Sequence, residues 1–434
     1  MTAPKFQPLR SLDDALTELL SHAQALQGTE LVSTFDADRR VLAQDVVSSI
    51  NVPGFDNSSM DGYAVRAADC TQAGAVLEVT QRIAAGHFGA KLSAGQAARI
   101  FTGAPLPEGA DAVVMQEGCT DLGDSTVRVN TAPQLNQWIR RAGEDIRAGN
   151  TVLSKGELLA PTSLGLAASI GLQELTVYRR PRVALFSTGD ELVMPGEVAP
   201  EDMPRGAIYN SNRFFLRALL QRAGCEVTDL GIVPDKRAAT VEALQTAARA
   251  HDLILTSGGV SVGEEDHIKP AVQQLGSLDL WSISMKPGKP FAYGHIKKSV
   301  RPELVEPSVS TSDMTHFIGL PGNPVASFVT FLLLVRPFLA RLQGQSNSNS
   351  NSNSTGAMHS IAARADFTLA IADKRREFLR ARRNAQGGLD LYPNQSSGVL
   401  SSAVWADGLV DNPAGSTIAP GDKVRFVPFA DLLA

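Results

Sequence analysis

The sequence predicts a multidomain α/β-plus-β protein: a central three-layer αβα doubly wound domain, a small inserted β domain, an elongated helical/β domain and a C-terminal β-barrel-like domain. Three observations carry this expectation. Residues 181 to 342 alternate strand-like apolar runs with helical ones, the pattern of a parallel sheet with right-handed crossovers. Residues 57 to 129 break into short β-rich runs between Gly and Pro clusters, and residues 358 to 434 do so again. With 434 residues, 43% hydrophobic and 20% charged, the chain has core enough for two to four domains of roughly 100–200 residues each.

Taken in order, Leu12, Ala15, Leu16, Leu19 and Leu20 recur at helical spacing after Ser11, so a helix over 11–26 with Ser11 as N-cap is predicted. A second helical stretch is expected over 37–45. Val76–Val79, Ala112–Met115 and Thr126–Val129 read as strands of the small β domain, and 161–169 as a helix beyond it. The resulting division gives 1–56 and 141–180 to a discontinuous elongated domain, and 57–140 to the insert. In the α/β domain, 181–342, strands are expected at 183–186, 227–232, 253–255 and 280–285, with helices at 211–223, 238–250 and 268–275. Gly224 is a stop signal for the first of these helices. A last apolar helix over 325–342 has Asn323 as N-cap and Pro324 at its first position. Ser and Asn alternate from 346 to 354, a composition that builds no core and reads as a flexible linker over 343–357. Residues 298–315 read as a surface insertion, and 358–434 as the all-β C-terminal domain with a strand at 423–427.

Composition excludes several function classes. A net charge of −5 and a pI near 5.9 argue against a nucleic-acid surface as the main business. Three scattered cysteines, Cys70, Cys119 and Cys225, suit a reducing cytoplasm and lack metal-ligand spacing. The seven histidines show no sequence clustering, which argues against a histidine metal site. The N-terminus has no signal-peptide core, and the most apolar stretch, 326–340, is interrupted by Arg336 and Pro337, so no membrane span is expected.

The chemistry gathers at strand ends. Ser257-Gly-Gly-Val-Ser-Val-Gly263, Lys286-Pro-Gly-Lys-Pro290 and Pro321-Gly-Asn-Pro324 each follow an apolar strand run or open a helix. In an open α/β sheet, ligands bind outside the carboxyl ends of the strands. Glycines there admit a ligand close to the backbone, and successive N–H groups cradle an anion. Lysines at i and i+3 between prolines add fixed positive charge. This pattern points to an anionic, phosphate-bearing ligand. Asp190 and Glu191 close the first strand, and Asp235 and Asp266 occupy equivalent places after later ones. Such carboxylates hold a divalent cation or orient water, and the alternative for Asp190 is a simple cap. In Lys374-Arg-Arg-Glu-Phe-Leu-Arg-Ala-Arg-Arg383, Arg376, Phe378 and Arg380 share a face if the run is a strand. A solvated, aggregation-resistant edge explains most of these arginines, but not Arg380.

Together, Asn57–Ala64, Thr102–Pro107, Arg140–Asp145, Ser187–Leu192, Ser257–Asp266, Lys286–Pro290 and Pro321–Pro324 closely resemble the molybdopterin molybdenumtransferase family, which includes the C-terminal domain of the scaffold gephyrin. The resemblance runs in order over nearly the whole chain. It implies an elongated four-domain subunit, a homodimer in which the elongated domain of 1–56 and 141–180 serves dimerisation, and magnesium-dependent cleavage of adenylylated molybdopterin with transfer of molybdate and release of AMP. It also implies roles. Gly258, Gly259 and Ser261 lie at the phosphates, and Glu191, Asp235 and Asp266 position Mg2+ or water, with Glu191 and Asp266 as the metal ligands. Lys286, Lys289, Arg380 and Ser397 hold molybdate, Pro321 and Pro324 line the substrate site, and Asp61, Thr102 and Asp145 complete the cleft. Implied partners are a molybdopterin adenylyltransferase and downstream molybdenum cofactor enzymes, with no nucleic acid and no membrane. Two departures stand out: Gln395-Ser-Ser-Gly398 leaves Ser396 and Ser397 as alternatives, and Asn210 replaces a common acidic residue. A gephyrin-type scaffold and a pterin adenylyltransferase are the alternative functions.

Overall fold

The structure is a computed structural model and describes residues 9–259, 267–298, 314–346 and 358–433. The chain divides into two compact units, residues 1–30 with 178–434, and residues 31–177. Helix α1 (Leu12–His22) opens the described chain. The Ser11 hydroxyl accepts the Asp14 N–H at 3.1 Å, and Leu12, Ala15, Leu16, Leu19 and Leu20 form its buried stripe.

The unit of residues 31–177 holds a six-stranded sheet of β1 (Gly62–Val65), β2 (Ala75–Ile83), β3 (Gln96–Ile100), β4 (Ala112–Met115), β5 (Cys119–Gly123) and β6 (Thr126–Val129), in the order β4-β1-β3-β2-β6-β5. Only β2 and β3 run parallel. Adjacent residues enter different cores: Val65, Ala97 and Val114 one, Ala64, Ala98 and Val113 the other. A separate cluster of Leu42, Val46, Ile146, Leu153, Leu159, Leu175 and Val177 packs under helix α2 (Pro161–Ser169). The helix expected over 37–45 does not form. Arg39 takes a positive φ of 59°, Leu42 N–H bonds Glu157, and Ala43 N–H bonds Thr176. Long-range backbone pairing wins over local helical spacing here.

The larger unit begins with β7 (Arg182–Thr188), α3 (Ser211–Arg222), β8 (Glu226–Val233), α4 (Arg237–Ala250), β9 (Leu253–Ser257) and α5 (Ile268–Leu275). It continues with β10 (Gly276–Ser282), β11 (Met285–Lys286), β12 (Pro290–Lys297) and β13 (Met314–Leu320). The sheet order is β8-β7-β9-β13-β12-β10. Val183, Leu185, Leu253 and Leu255 face a core shared with α1 and α3, while Ala184, Phe186 and Ile254 face α4 and α5. That alternation is the three-layer arrangement. Because α1 packs in the first of these cores, the compact unit takes in residues that the sequence division gives to the elongated segment. The sheet is not wholly parallel: β12 runs antiparallel to β13 and to β10. Only seven residues separate β10 from β12, too few for the crossover a parallel pair needs. The strand expected over 280–285 instead ends at Ser282, and β11 pairs elsewhere.

The last core helix runs as α6 (Pro324–Thr330), a π-turn (Phe331–Val335) and α7 (Arg336–Leu342). Pro337 has no N–H to give the residue four before it, and the wider turn just ahead accommodates the break. Asn323 makes no side-chain cap, contrary to expectation; its carbonyl accepts the Ser327 N–H instead. These 19 residues are long and apolar enough to span a membrane by composition, but 72% of the most apolar window is buried inside the protein.

The C-terminal part comprises β14 (Ile361–Arg364), β15 (Arg376–Arg383), β16 (Leu389–Leu391), α8 (Leu400–Trp405), β17 (Gly408–Asn412), β18 (Lys423–Pro428) and α9 (Phe429–Leu433). Its sheet takes in β11, in the order β11-β15-β17-β18-β14, with β16 added to β15. Phe378, Leu409, Val427 and Phe429 lie in the same core as α6 and α7. The residues read as insertion and linker fall largely in 299–313 and 347–357, outside the described residues.

Candidate active site

A cleft of about 880 Å³ opens at the carboxyl ends of β7, β9 and β13, where the strand-end rule places a ligand. Thr188, Ser257, Gly258 and Pro321 supply its floor, and the start of α3 supplies one wall. Asn212 ties these parts together: its amide donates to Ser257 Oγ and to the Gly322 carbonyl, both at 2.7 Å. Asn210 caps α3 through Arg213 N–H, and its own amide nitrogen is buried without a partner among the described residues. The sequence Asn-Ser-Asn212 at a helix start was the available signal for both asparagines.

Gly258 has φ +94°, and a Cβ there would sit 3.1 Å from the Thr188 carbonyl, so both conformation and space demand glycine. Gly259 follows with φ +66°. Two consecutive left-handed residues turn the backbone around the crevice, which suits close approach of an anion. Ser261 and Asp266 lie outside the described residues. Glu191 lines the cleft with its carboxylate folded against Gly189. Asp235 lies just beyond β8 and is not part of the lining. Among the described residues no three acidic, histidine or cysteine side chains converge as a metal cage.

The Lys286–Lys289 turn forms a second wall. Gly288 (φ +114°) packs so tightly on Thr330 and Met285 that a Cβ would meet them at 2.5 and 2.6 Å, so the turn is fixed from behind. The two lysines differ. Lys286 donates to Glu377 at 3.0 Å and lies 3.3 Å from Asp373; the Glu377 bond holds its ammonium above the ordinary pKa. Lys289 is exposed on the lining and has no ion pair among the described residues. Glu377, unmarked in the sequence reading, is buried, and one of its carboxylate oxygens has no partner among the described residues.

Gln395, Ser396, Ser397 and Gly398 close the cleft from the C-terminal part. The Ser397 carbonyl accepts the Val325 N–H at 2.9 Å, seating the loop on the first turn of α6 beside Pro324. Arg380 does not line the cleft. It is 1% exposed and sits behind this loop, donating to Ser402 Oγ (3.1 Å), the Phe378 carbonyl (3.2 Å) and the Ser396 carbonyl (3.2 Å). Burial without a carboxylate pulls its pKa down to about 10, so it remains a cation at neutral pH. Its charge therefore acts on the loop from beneath, and Ser396 and Ser397 both face the cleft. Of the neighbouring basic residues, Arg376 pairs with Asp411 and Asp13, and Arg375 with Asp373.

The remaining candidates belong to the unit of residues 31–177. Asp61 Oδ1 accepts the N–H and the hydroxyl of Thr102, each at 2.8 Å, and the backbone bond above all holds its carboxyl below the usual range. Asp145 is exposed on the turn after Arg140, and its N–H bonds the Val52 carbonyl. No described hydrogen bond joins it to Asp61 or Thr102. The three thiols are all pushed up by burial, Cys70 and Cys119 to about 11 and Cys225 to about 12, which makes them poor nucleophiles.

Three family models match the chain: the MoeA N-terminal region (domain I and II) over residues 10–171, a probable molybdopterin binding domain over 184–341, and the MoeA C-terminal region (domain IV) over 362–429. A molybdopterin molybdenumtransferase of Haemophilus influenzae is 38% identical over 431 residues, covering 98% of this chain and 99% of its own. A namesake from Nostoc is 34% identical over 434 residues, covering 96% and 93%. The crystal structure of the molybdopterin biosynthesis MoeA protein of Pyrococcus horikoshii OT3 matches with a TM-score of 0.81 at 27% identity, over 97% of this chain and all of that one.

Proposed function

The chain belongs to the molybdopterin molybdenumtransferase family, and from that premise we propose that its cleft binds adenylylated molybdopterin, breaks the bond to the nucleotide and passes molybdate to the pterin dithiolene, releasing AMP. It is an enzyme of molybdenum cofactor biosynthesis. The observation that carries the mechanistic reading is the union, in one cleft, of a glycine-lined strand-end crevice with a lysine that has no ion pair among the described residues and a serine-bearing loop. A pyrophosphate needs the first, and a small tetrahedral dianion needs the other two.

In this reading Gly258 and Gly259 receive the pyrophosphate, and Asn212 keeps β9, α3 and the Gly322 turn in register around it. Lys289 draws molybdate toward Ser396 and Ser397, with Arg380 charging the loop from behind. Glu191, the acidic residue of the described lining, would hold Mg2+ together with Asp266 of the sequence motif; a single carboxylate in the lining fits an ion that takes one or two carboxylates and fills its shell from phosphate and water. Bound there, magnesium would offset the phosphate charge that develops as AMP leaves. Asp61, Thr102, Asp145 and Asp235 complete the proposed set. The proposal includes a homodimer, a molybdopterin adenylyltransferase as supplier, downstream molybdenum enzymes as recipients, and a cytoplasmic setting suited to three free thiols.

The test is AMP release from adenylylated molybdopterin by the purified chain, with and without molybdate and magnesium, beside an arm given molybdopterin and ATP. AMP appearing only in the first arm, dependent on magnesium, is expected. ATP consumption without AMP release from the adenylylated pterin would overturn the reading in favour of the adenylyltransferase.

A further inference from the structure

On the sheet of the 31–177 unit, Arg82 of β2 and Arg99 of β3 are register partners on neighbouring parallel strands. Like charges facing each other across a ladder repel. Neither guanidinium forms an ion pair among the described residues. Both stack on the same ring instead, Arg82 at 4.4 Å and Arg99 at 4.8 Å from the centroid of Phe101, with Arg99 also 5.2 Å from Tyr63. Arg99 donates to the Gly62 carbonyl at 2.8 Å and to Gln116 Oε1 at 2.6 Å, both neutral acceptors. Asp61, a carboxylate that feels Arg99, already spends an oxygen on Thr102. Two guanidiniums are thus gathered on one aromatic ring, with no ion pair to either among the described residues. Such planar forks match oxyanions in bidentate fashion.

We propose that Arg82 and Arg99 form a binding site for a tetrahedral oxyanion, carried by the β unit and additional to the Lys289 wall of the cleft. The site itself rests on the geometry of this sheet. The reading of the function above supplies only which oxyanions are at hand, molybdate or a substrate phosphate. Phe101 holds the two forks apart from solvent-driven disorder, and the bound anion removes the repulsion between them. Asp61 at the rim disfavours large polyanions and leaves room for one compact group.

The experiment uses the full chain carrying Lys289→Ala, so that the cleft contributes less to the signal, and titrates sodium molybdate, inorganic pyrophosphate and sulfate calorimetrically at constant ionic strength. One oxyanion site is expected to remain. Adding Arg82→Gln or Arg99→Gln should weaken it about ten- to a hundredfold, the loss of a charge-assisted contact. Arg99→Lys should recover part of the binding, since it restores charge without the fork. Without anion, the Arg82→Gln variant should melt no lower than its parent, and only the parent should gain melting temperature from the anion. Tighter molybdate than pyrophosphate assigns the site to the metal oxyanion, and the reverse order to substrate phosphate. Unchanged binding in the glutamine variants, no binding in the Lys289→Ala parent, or a lowered melting point with an unchanged anion effect each overturns the proposal. These outcomes need no turnover, so they stand apart from the test of the reaction.

Discussion

Lys286 and Lys289 look equivalent in the sequence, three residues apart between prolines, and the structure separates them. Lys289→Ala removes an exposed charge that has no ion pair among the described residues. It should raise the molybdate concentration for half-maximal AMP release about tenfold or more, with an unchanged urea midpoint. Lys286→Ala also strands the buried carboxylate of Glu377, so it should lose roughly 1–3 kcal/mol of stability besides. Replacing Glu377 by Gln in the same chain should restore most of that stability but not the molybdate response, and a double-mutant cycle in urea reads both. A second residue-scale expectation concerns His316. The Tyr293 hydroxyl bridges His295 (2.8 Å) and His316 (3.0 Å), and His22 stacks on the same ring. These three histidines, scattered in sequence, meet in the fold. Burial first, then His295, His22 and Lys298, against the opposing pull of Asp252, lower the His316 pKa from 6.5 to about 3. Between those values the unfolded chain binds a proton that the folded chain refuses. Stability from this group is therefore complete above pH 6.5 and falls as pH drops toward 3, by up to about 1.4 kcal/mol per unit. Melting curves from about pH 7 to pH 5 should show the fall, and His316→Asn should flatten it.

Among the elements, the Gln395–Gly398 loop is anchored at its start by the Gln395 side chain. Gln395 accepts the Arg380 N–H at 2.9 Å and donates to the Arg380 and Tyr392 carbonyls at 3.1 and 2.9 Å. Gln395→Ala should cost about 2 kcal/mol and raise the molybdate requirement, because the loop loses its registry with α6. An unchanged molybdate curve would show that Ser396 and Ser397 are not part of that subsite. The loop also shows what the sequence reveals and hides. Strands 112–115 and 126–129, helices 161–169 and 268–275, and the Ser11 cap were legible because local patterning and tertiary packing agree there. The mixed sheet direction, the π-turn before Pro337 and the irregular course of 37–45 were not, since each is decided by partners distant in the chain. Within the site, Gly258, Lys289 and the prolines were legible from turn chemistry. Glu377 and Gln395 were not, because nothing in an isolated Glu or Gln announces the backbone or the lysine it will bind.

At the scale of the molecule, the C-terminal part is joined to the α/β part by more than the chain. β11 pairs with β15, Met285 opposite Arg376 and Lys286 opposite Glu377, and Phe378, Leu409 and Phe429 enter the core of α6 and α7. A protease site placed within residues 347–357 should therefore give two fragments that co-elute after cleavage and melt in one transition. Separation of the fragments without denaturant would show that the shared core is too weak to hold them. The same pairing sets a clock on biogenesis. The lysine turn is anchored by residues made long after it, and the loop that closes the cleft comes later still. At synthesis rates of about 5–20 residues per second, the stretch from Lys286 to Ser397 takes on the order of ten seconds to appear. Throughout that interval the nascent chain carries the glycine crevice without the wall that completes the cleft, so a ribosome stalled before Ser397 displays the crevice open on one side.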